Sequence, residues 1–547
     1  TVFYSFLITF YIISLIEISQ KLRGIIRPDA TLGNPTYIGF LSVLMFFLCL
    51  YYLKNSSNLE KILLFIGLAF SISNIFISET RGSVIALILA IPVSAIYYFL
   101  TSKTKILIKI LVLILIFISI LGFYFLISSP YAKNIPLLSR LHDTLKDPRA
   151  YMARWLAWGI FLNAWKQNPI FGYGLENSPI AYFKAFNPEI FNYEEVIFDR
   201  PHNKYIEILE TTGIIGAIFW LLFYISILFS IFKFQNDRYL RAILLGFFIG
   251  YLGQNLTLFD IQASYLPFLF GLSLISPPIS LNEKRKSIER LSLNILIIGL
   301  TTILIFINIF HFYIVAEIIN AINSPYPQGI YKFKKLISLN TNFAPEIANM
   351  SARYLESNIS EVKTLREANE FTEIFKYAFK KDPYDPRLYN ILILHLSRLM
   401  TAKRAAAIDY SDEYNLLNEI YKQYVNLYPN YPDTKMDYAK FLQSMGKNEE
   451  AIKILEGVRI QYRESPRVIF LLANLYYIIN EKEKAYQLLD EALQRGLYPE
   501  NQVQYLIALR ILKDKNKDKF EGILKDYMNK FTDNESLKLL NEILQGK

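Results

Sequence analysis

Nine apolar segments fill most of the first 316 residues, and they restrict the fold of this part of the chain more than any other feature. A helix needs about 20 apolar residues to cross a hydrocarbon layer of about 30 Å. These segments therefore predict an all-α, polytopic transmembrane bundle of about nine spans. They lie at 1–17, 36–53, 61–78, 83–101, 105–128, 213–232, 240–257, 262–277 and 292–316.

Polar residues interrupt the seventh and eighth segments at Gln254, Asn255, Asp260 and Gln262. We expect these side chains to face a cavity or a neighbouring helix, because polar groups are costly against lipid. The chain opens with Thr1 inside an apolar run, and residues 1–17 lack the charged start and cleavage site of a signal peptide. We therefore expect an N-terminal truncation, with further membrane helices before Thr1.

Lysine and arginine residues cluster in alternate loops between the apolar segments. Because these residues favour the cytoplasmic side, the pattern predicts a multi-pass protein of the cytoplasmic (inner) membrane. The connections 18–35, 79–82 and 129–212, and everything after residue 316, then lie outside. The cations that define the cytoplasmic side are Lys54, Lys61, Lys103, Lys105, Lys233, Arg238, Arg241, Lys284, Arg285, Lys286 and Arg290.

Composition argues against several classes of site. The net charge of +10 does not indicate a nucleic-acid partner, because much of it lies in these short loops. The single cysteine, Cys49, allows no disulfide within the chain. The sequence contains neither a GxxxxGK[ST] loop nor an HExxH motif. We predict no nucleic acid, no metal and no cofactor.

The long outer loop, 129–212, carries too many aromatic residues to be disordered. Its stretch 149–166 has the period of an amphipathic helix, with Trp155, Trp158 and Trp165 on one face. We expect this helix to lie at the membrane surface and to end before Pro169. The first outer loop carries Lys21, Arg23 and Arg27, which could either anchor the chain at the interface or bind an anion.

Polar residues crowd the point where the long loop meets the sixth apolar segment. Pro201 disfavours helix at Arg200, so we expect His202 near a helix start, where free backbone N–H groups favour an anion. A neutral imidazole there could accept a proton from a hydroxyl group near pH 7. On the residues alone, an interfacial histidine satisfied by a neighbour is an equal alternative.

Beyond residue 316 the composition is that of a soluble helical domain with a 34-residue repeat. Ala439, Gly446, Ala451 and Leu455 recur as Ala473, Asn480, Ala485 and Leu489, and prolines at 432, 466 and 499 separate the units. Small residues where paired helices approach, with proline between units, are typical of tetratricopeptide repeats. We predict an α-solenoid of five or six helix pairs over 317–547, with a protein partner bound to it.

One ordered set of motifs gives a family resemblance over about residues 18–276. His202-Asn203, nine further residues, Gly213, two more and Gly216 resemble the HN-x9-Gly-x-x-Gly signature of the O-antigen ligase and polymerase superfamily. Members of this family with C-terminal tetratricopeptide repeats are a familiar variant. The other matching stretches, in the expected order, are Gly33-Asn34-Pro35, Thr80-Arg81-Gly82-Ser83, Arg154 with Trp158, and Asn168-Pro169-Ile170-Phe171-Gly172-Tyr173-Gly174.

The resemblance implies an O-antigen ligase-like transmembrane domain over 1–316, with the loop 129–212 inserted. It also implies an enzyme that transfers a polyprenyl-diphosphate-linked glycan to an acceptor hydroxyl at the outer face of the membrane. The acceptor in this family is a lipid, a growing glycan or a protein. Guanidinium groups match phosphate oxygens and would stabilise the charge on the leaving diphosphate, so no metal is required.

The same resemblance assigns roles to individual residues. His202, Arg81 and Arg154 are expected to be catalytic, with His202 either taking the acceptor proton or helping to hold the phosphates. Glu207 and Glu210 are alternatives for the base. The expected substrate-binding residues are Arg200, Asn203, Arg27, Glu207 and Glu210.

Two functions of other classes are alternatives to an enzyme. In the first, the chain is a non-catalytic, membrane-anchored scaffold that uses its repeats for envelope assembly. In the second it is a transporter, which would require polar residues and broken helices at mid-membrane, and only Gln254, Asn255 and Asp260 point that way.

Overall fold

The computed structural model describes residues 2–147, 149–194, 197–275, 286–362, 364–462 and 465–545. The chain divides into two compact units, Thr1–Ala185 with Tyr193–Leu300, and Phe186–Asn192 with Thr301–Lys547. Within the described ranges the regular structure is entirely helical, which confirms the predicted all-α class. The domain division at residue 316 that the sequence suggested stays a prediction.

Six described helices are long and apolar enough to cross a membrane, so the chain is a multi-pass membrane protein. Each corresponds to one of the predicted spans. They are α1 (Val2–Leu22), α2 (Pro35–Leu53), α3 (Asn58–Ile77), α4 (Arg81–Leu100), α5 (Ile106–Ser128) and α9 (Lys204–Phe234). Between α5 and α9 lie α6 (Pro136–Lys146), α7 (Arg149–Gln167) and α8 (Ser178–Lys184).

The remaining three predicted spans differ from the helices that form. The seventh and eighth correspond to α10 (Arg238–Gln254), with 17 residues, and α11 (Gln262–Ser273), with 12. A non-helical segment, 255–261, follows α10, and α10 is largely buried by protein: a Cβ at Gly246 would lie 2.3 Å from the Phe47 ring. The ninth predicted span lies within α12 (Lys286–Ile322). Residues 276–285, which include the loop cations Lys284 and Arg285, lie outside the described ranges.

Contacts within the first unit define two ends of the helical bundle. At the first end, which we call the site end, Arg27 Nε donates to the Ser78 carbonyl and the Lys204 N–H donates to the Asn255 carbonyl. At the other, the opposite end, Lys54 pairs with Asp237, at the start of α10. The helices α2, α4 and α9 therefore begin at the site end and finish at the opposite end, as the parity of the loop charges predicts.

The second unit contains twelve described helices after α12, and consecutive helices pack against one another. Ala439, Ala451, Ala473 and Ala485 are fully buried, as expected where paired helices approach closely. Gly446 and Asn480, one repeat apart, both have positive φ angles, 76° and 68°. Five successive pairs, α14 to α23, confirm the predicted solenoid.

The bounds of these helices are α13 (Gln328–Ser338), α14 (Ala344–Ser357), α15 (Leu365–Lys381), α16 (Pro386–Ala405), α17 (Ser411–Leu427), α18 (Pro432–Ser444), α19 (Asn448–Gln461), α20 (Pro466–Ile478), α21 (Lys482–Gln494), α22 (Gln502–Leu512), α23 (Lys517–Lys530) and α24 (Asn534–Leu544).

Candidate active site

Four arginines converge at the site end on one small pocket, which we call the arginine pocket. Three were expected from the sequence: Arg27 from the α1–α2 loop, Arg81 from the start of α4, and Arg154 from α7. The fourth, Arg140, comes from α6. The other residues that line the pocket are Thr36, Glu79, Thr80, Gly82, Gln254, Thr257 and Leu258.

Hydrogen bonds to the protein fix part of three of these guanidinium groups. Arg27 Nε donates to the Ser78 carbonyl over 3.2 Å, and Arg140 Nη1 donates to the Glu79 carbonyl over 2.8 Å. Arg81 Nη1 donates to the Thr144 hydroxyl. Each guanidinium carries five donors, so these bonds orient the groups and leave further donors for a ligand.

The electrostatics of the pocket favour an anion. Burial lowers the pKa of Arg154, the Glu194 carboxylate opposes that shift, and Arg140 adds to it. Burial also lowers the pKa of Arg27, and the Arg140 charge lowers it further. A phosphate group between these side chains would offset both the desolvation and the mutual repulsion of like charges.

One segment, 254–260, borders two groups of predicted site residues. Gln254, Thr257 and Leu258 line the arginine pocket. Phe259 contacts Arg200, with the guanidinium carbon 4.8 Å from the ring centroid, and its ring centroid lies 5.4 Å from that of His202. Of the four polar residues that interrupt the seventh and eighth apolar segments, Gln254 lines a cavity and Asn255 and Asp260 are buried, as predicted, whereas Gln262 is exposed.

Arg200 belongs to a charged network and does not line the arginine pocket. Its guanidinium pairs with Glu176 and with Glu207, the latter over 3.4 Å. Lys204 Nζ lies 3.6 Å from Glu207 and 3.9 Å from Asp260. Burial raises the pKa of the Asp260 carboxyl, and the Lys204 charge opposes that shift. Each carboxylate of the network is thus held by a cation.

His202 lies two residues before the start of α9, as the sequence suggested. Its φ angle of 50° is unusual for a residue with a side chain. Its Nδ1 lies 3.0 Å from the Arg200 carbonyl. A carbonyl oxygen can only accept, so this bond places the proton of the neutral ring on Nδ1 and the lone pair on Nε2. Nε2 is then the atom that can accept a proton.

Two of the predicted binding residues have structural contacts of their own. The Asn203 side-chain oxygen caps α9 by accepting from the Tyr205 and Ile206 N–H groups, over 3.1 and 3.3 Å. Glu210 is fully buried and accepts from the Ser178 hydroxyl over 2.9 Å. Neither lines the arginine pocket, and their roles in substrate binding stay predictions.

The glycines of two separate motifs meet backbone to backbone. Gly213 kinks α9 with a φ of 64°, and a Cβ there would lie 2.2 Å from the Ile170 carbonyl oxygen. A Cβ on Gly172 would lie 2.5 Å from the Glu210 carbonyl oxygen. The bonds Tyr173 N–H to Glu210 and Ile214 N–H to Pro169, 2.8 and 2.9 Å long, join the two segments. The kink frees these groups from helical pairing, and the 169–174 turn satisfies them.

A tryptophan of the same family pattern supports His202. Trp158 Nε1 donates to the Pro201 carbonyl over 2.8 Å, one residue before His202. Trp158 is on α7, which also carries Arg154. One helix therefore supplies a guanidinium to the arginine pocket and holds the loop that carries the histidine.

Sequence reasoning missed two charged residues of the pocket, Arg140 and Glu79. Arg140 belongs to no motif that was recognised, and its only signal is an isolated cation in a short amphipathic stretch of the outer loop. Glu79 precedes the Thr80-Arg81-Gly82-Ser83 motif, and its carboxylate lies 3.5 Å from Lys21. His142, in the outer loop, is buried, and its Nδ1 lies 2.8 Å from the Ile127 carbonyl.

Comparison with known proteins gave two family matches. The O-antigen ligase family model matches residues 66–221, and a tetratricopeptide-repeat model matches residues 418–475. The first range contains Arg81, Arg140, Arg154, Arg200 and His202. No curated protein matches the chain significantly. A solved structure from a functional characterisation of Pseudomonas aeruginosa pilF shares 16% identity, covering 43% of this chain and 97% of that one, with a TM-score of 0.30.

The TM-score of the solved structure supports no conclusion, whereas the two family models cover the stretches in which the motifs and the repeats lie. This protein is a multi-pass membrane protein whose residues 66–221 match the O-antigen ligase family model and whose residues 418–475 match a tetratricopeptide-repeat model.

Proposed function

We propose that the protein transfers a glycan from a polyprenyl diphosphate to an acceptor hydroxyl on a lipid, a glycan or a protein. The observation that carries the proposal is the convergence of four guanidinium groups on one pocket at the ends of membrane helices. A diphosphate presents several anionic oxygens, and arginine binds such oxygens in pairs.

An apolar groove beside the arginine pocket supports a donor attached to a lipid. The groove lies between α3, α4, α5 and α6, and aliphatic and aromatic side chains form nearly all of its wall. Thr144 lines this groove and also accepts the hydrogen bond from Arg81. A prenyl chain in the groove would place its diphosphate at the arginine pocket.

The reaction follows from this placement. The acceptor oxygen attacks the anomeric carbon, and the bond from that carbon to the diphosphate oxygen breaks. The acceptor proton passes to His202 Nε2, and the electron pair leaves with the diphosphate, whose charge the arginines stabilise. A single displacement of this kind inverts the anomeric configuration and needs no metal, because the guanidinium groups supply the positive charge.

The proposed location is the outer face of the cytoplasmic membrane. The loop-charge pattern puts the opposite end of the bundle, with Lys54 and Arg238, in the cytoplasm. The arginine pocket, the loop 129–212 and the repeat domain are then extracytoplasmic. We propose that the repeat domain binds a protein partner, which is the common use of such solenoids.

Glycan transfer in membranes that contain the full chain tests the proposal. Arg81→Gln and His202→Ala should each lower transfer by about a hundredfold or more, at unchanged protein level. The control is Arg23→Gln, which removes an exposed cation in the neighbouring outer loop that does not line the pocket. Undiminished transfer by Arg81→Gln and His202→Ala contradicts the proposal and favours the scaffold.

A further inference from the structure

A second cationic recess lies at the opposite end of the bundle. Its walls come from the last turns of α2 and α4 and the first turn of α10, and its volume is about 440 Å³. The residues that line it are Leu53, Lys54, Tyr98, Asp237, Arg238 and Tyr239. Because α2 and α4 are membrane spans that end here, the recess lies at the level of lipid headgroups.

Among the described residues, Arg238 is the cation of this recess that has no carboxylate partner, whereas Lys54 pairs with Asp237. Its guanidinium carbon lies 4.7 Å from the centroid of the Tyr98 ring. Its Nε is buried and has no hydrogen-bond partner among the described residues. The neighbouring carboxylate, Asp237, pairs with Lys54 and also caps α10 by accepting from the Leu240 N–H over 2.9 Å.

A second arginine stands one turn further along α10. Arg241 Nη1 donates to the Tyr97 hydroxyl over 2.9 Å, and its Nε donates to the Gln235 carbonyl over 2.7 Å. Both partners are uncharged, so neither neutralises the positive charge of Arg241. With the Lys54–Asp237 pair neutral overall, the recess keeps a net positive charge.

The surface beside the recess is apolar and exposed. Phe232, on the last turns of α9, is 47% exposed, and Leu100, at the end of α4, is 50% exposed. The Phe232 ring packs against Tyr97, with centroids 5.7 Å apart. Tyrosine rings between an apolar surface and cations are typical of the membrane interface.

We propose that this recess binds the phosphate group of an anionic phospholipid, with Arg238 as the main ligand and the acyl chains along α4 and α9. Basic pockets between membrane helices bind such headgroups, and the apolar surface beside this one distinguishes a lipid from a free phosphate. The site is remote from the arginine pocket, at the other end of the spans, and does not depend on the reaction proposed there.

Native mass spectrometry of the detergent-purified full chain tests the proposal with two lipids and one soluble competitor. Phosphatidylglycerol should remain bound where phosphatidylcholine does not. Arg238→Gln should weaken phosphatidylglycerol binding about fivefold, corresponding to about 1 kcal/mol for one interfacial cation. Arg238→Lys keeps the charge but loses the stacking of the flat guanidinium on Tyr98. Its affinity for phosphatidylglycerol should lie between those of the wild type and Arg238→Gln.

The matched control is Lys103→Gln, an exposed cation at the same end that does not line the recess. Its lipid binding should equal that of the wild type. Circular dichroism and gel filtration check that each variant is folded. Equal losses in Lys103→Gln and Arg238→Gln, equal retention of the two lipids, or full displacement of the lipid by millimolar inorganic phosphate would each overturn the proposal.

Discussion

At the scale of single residues, two glycines explain why separate motifs occur together in this chain. Gly213 and Gly172 allow the kinked α9 and the turn 169–174 to share backbone hydrogen bonds. Both have positive φ angles, 64° and 69°, which favour glycine. Because Asn203 and His202 directly precede α9, this contact sets the position of the candidate base.

Gly213→Ala should destabilise the chain by about 3 kcal/mol or more, because strain at positive φ adds to a backbone clash. The expected readouts are a lower melting temperature in detergent and loss of transfer. Gly159→Ala, in α7, is the control, since a Cβ there meets nothing within 4 Å. A Gly213→Ala protein as stable as Gly159→Ala would contradict the described kink.

Arg140 is the pocket residue that the sequence did not reveal. Arg140→Gln should raise the KM for the lipid-linked donor about tenfold or more, as expected for the loss of one charge-assisted contact. Lys146→Gln removes an exposed cation from the same helix and should leave the KM unchanged. Equal KM values for the two variants would remove Arg140 from the donor site.

At the scale of elements, α7 links the two halves of the candidate site through Arg154 and Trp158. Trp158→Phe keeps the aromatic packing but removes the donor to the Pro201 carbonyl. We expect kcat to fall about fivefold, as for one neutral hydrogen bond, with donor affinity unchanged. Trp155→Phe, on the same helix but 60% exposed, should keep full kcat. A loss of donor affinity without loss of kcat in Trp158→Phe would show that the bond serves binding.

The helix pair α15–α16 contains a buried histidine whose protonation should weaken it. His395 lies 2.8 Å from the Thr372 hydroxyl, and burial lowers its pKa from 6.5 to about 4. Between these values the unfolded chain binds more protons than the folded one, so stability falls as pH drops from 6.5 towards 4. The loss should reach about 3 kcal/mol below pH 4.

Hydrogen exchange in peptides from α15 and α16 measures this effect within the full chain. Exchange should accelerate between pH 6.5 and 4, after correction for the intrinsic rate, and His395→Gln should remove the acceleration. An acceleration that persists in His395→Gln would assign the pH dependence to another group.

At the scale of the whole molecule, the sequence predicted the features that depend on local pattern. Apolar runs of sufficient length became membrane helices, and the 34-residue period became paired helices with buried alanines. The shortening of α10 could not be predicted in this way, because Gln254 and Asn255 are buried by tertiary neighbours. Arg27, Arg81 and Arg154 were expected from the sequence and line the pocket, whereas Arg140 reaches it only through the packing of α6.

The position of Arg200, beside His202, could not be predicted from local sequence pattern either. The sequence placed Arg200 with the other arginines, whereas its guanidinium pairs with Glu176 and Glu207 beside His202. Such pairing depends on side chains that are far apart along the chain. Loop charges, in contrast, correctly predicted which helix ends lie together, because that prediction needs only the number of times the chain crosses the membrane.

The central claim is that the arginine pocket holds the diphosphate of a lipid-linked donor, and equilibrium binding of a polyprenyl diphosphate to the purified full chain tests it most directly. The double variant Arg81→Gln/Arg154→Gln should bind at least tenfold more weakly than the wild type. Lys103→Gln, an exposed cation that lines neither the arginine pocket nor the recess at the opposite end, should bind as the wild type does. Wild-type affinity in the double variant, or an equal loss in Lys103→Gln, would contradict the claim.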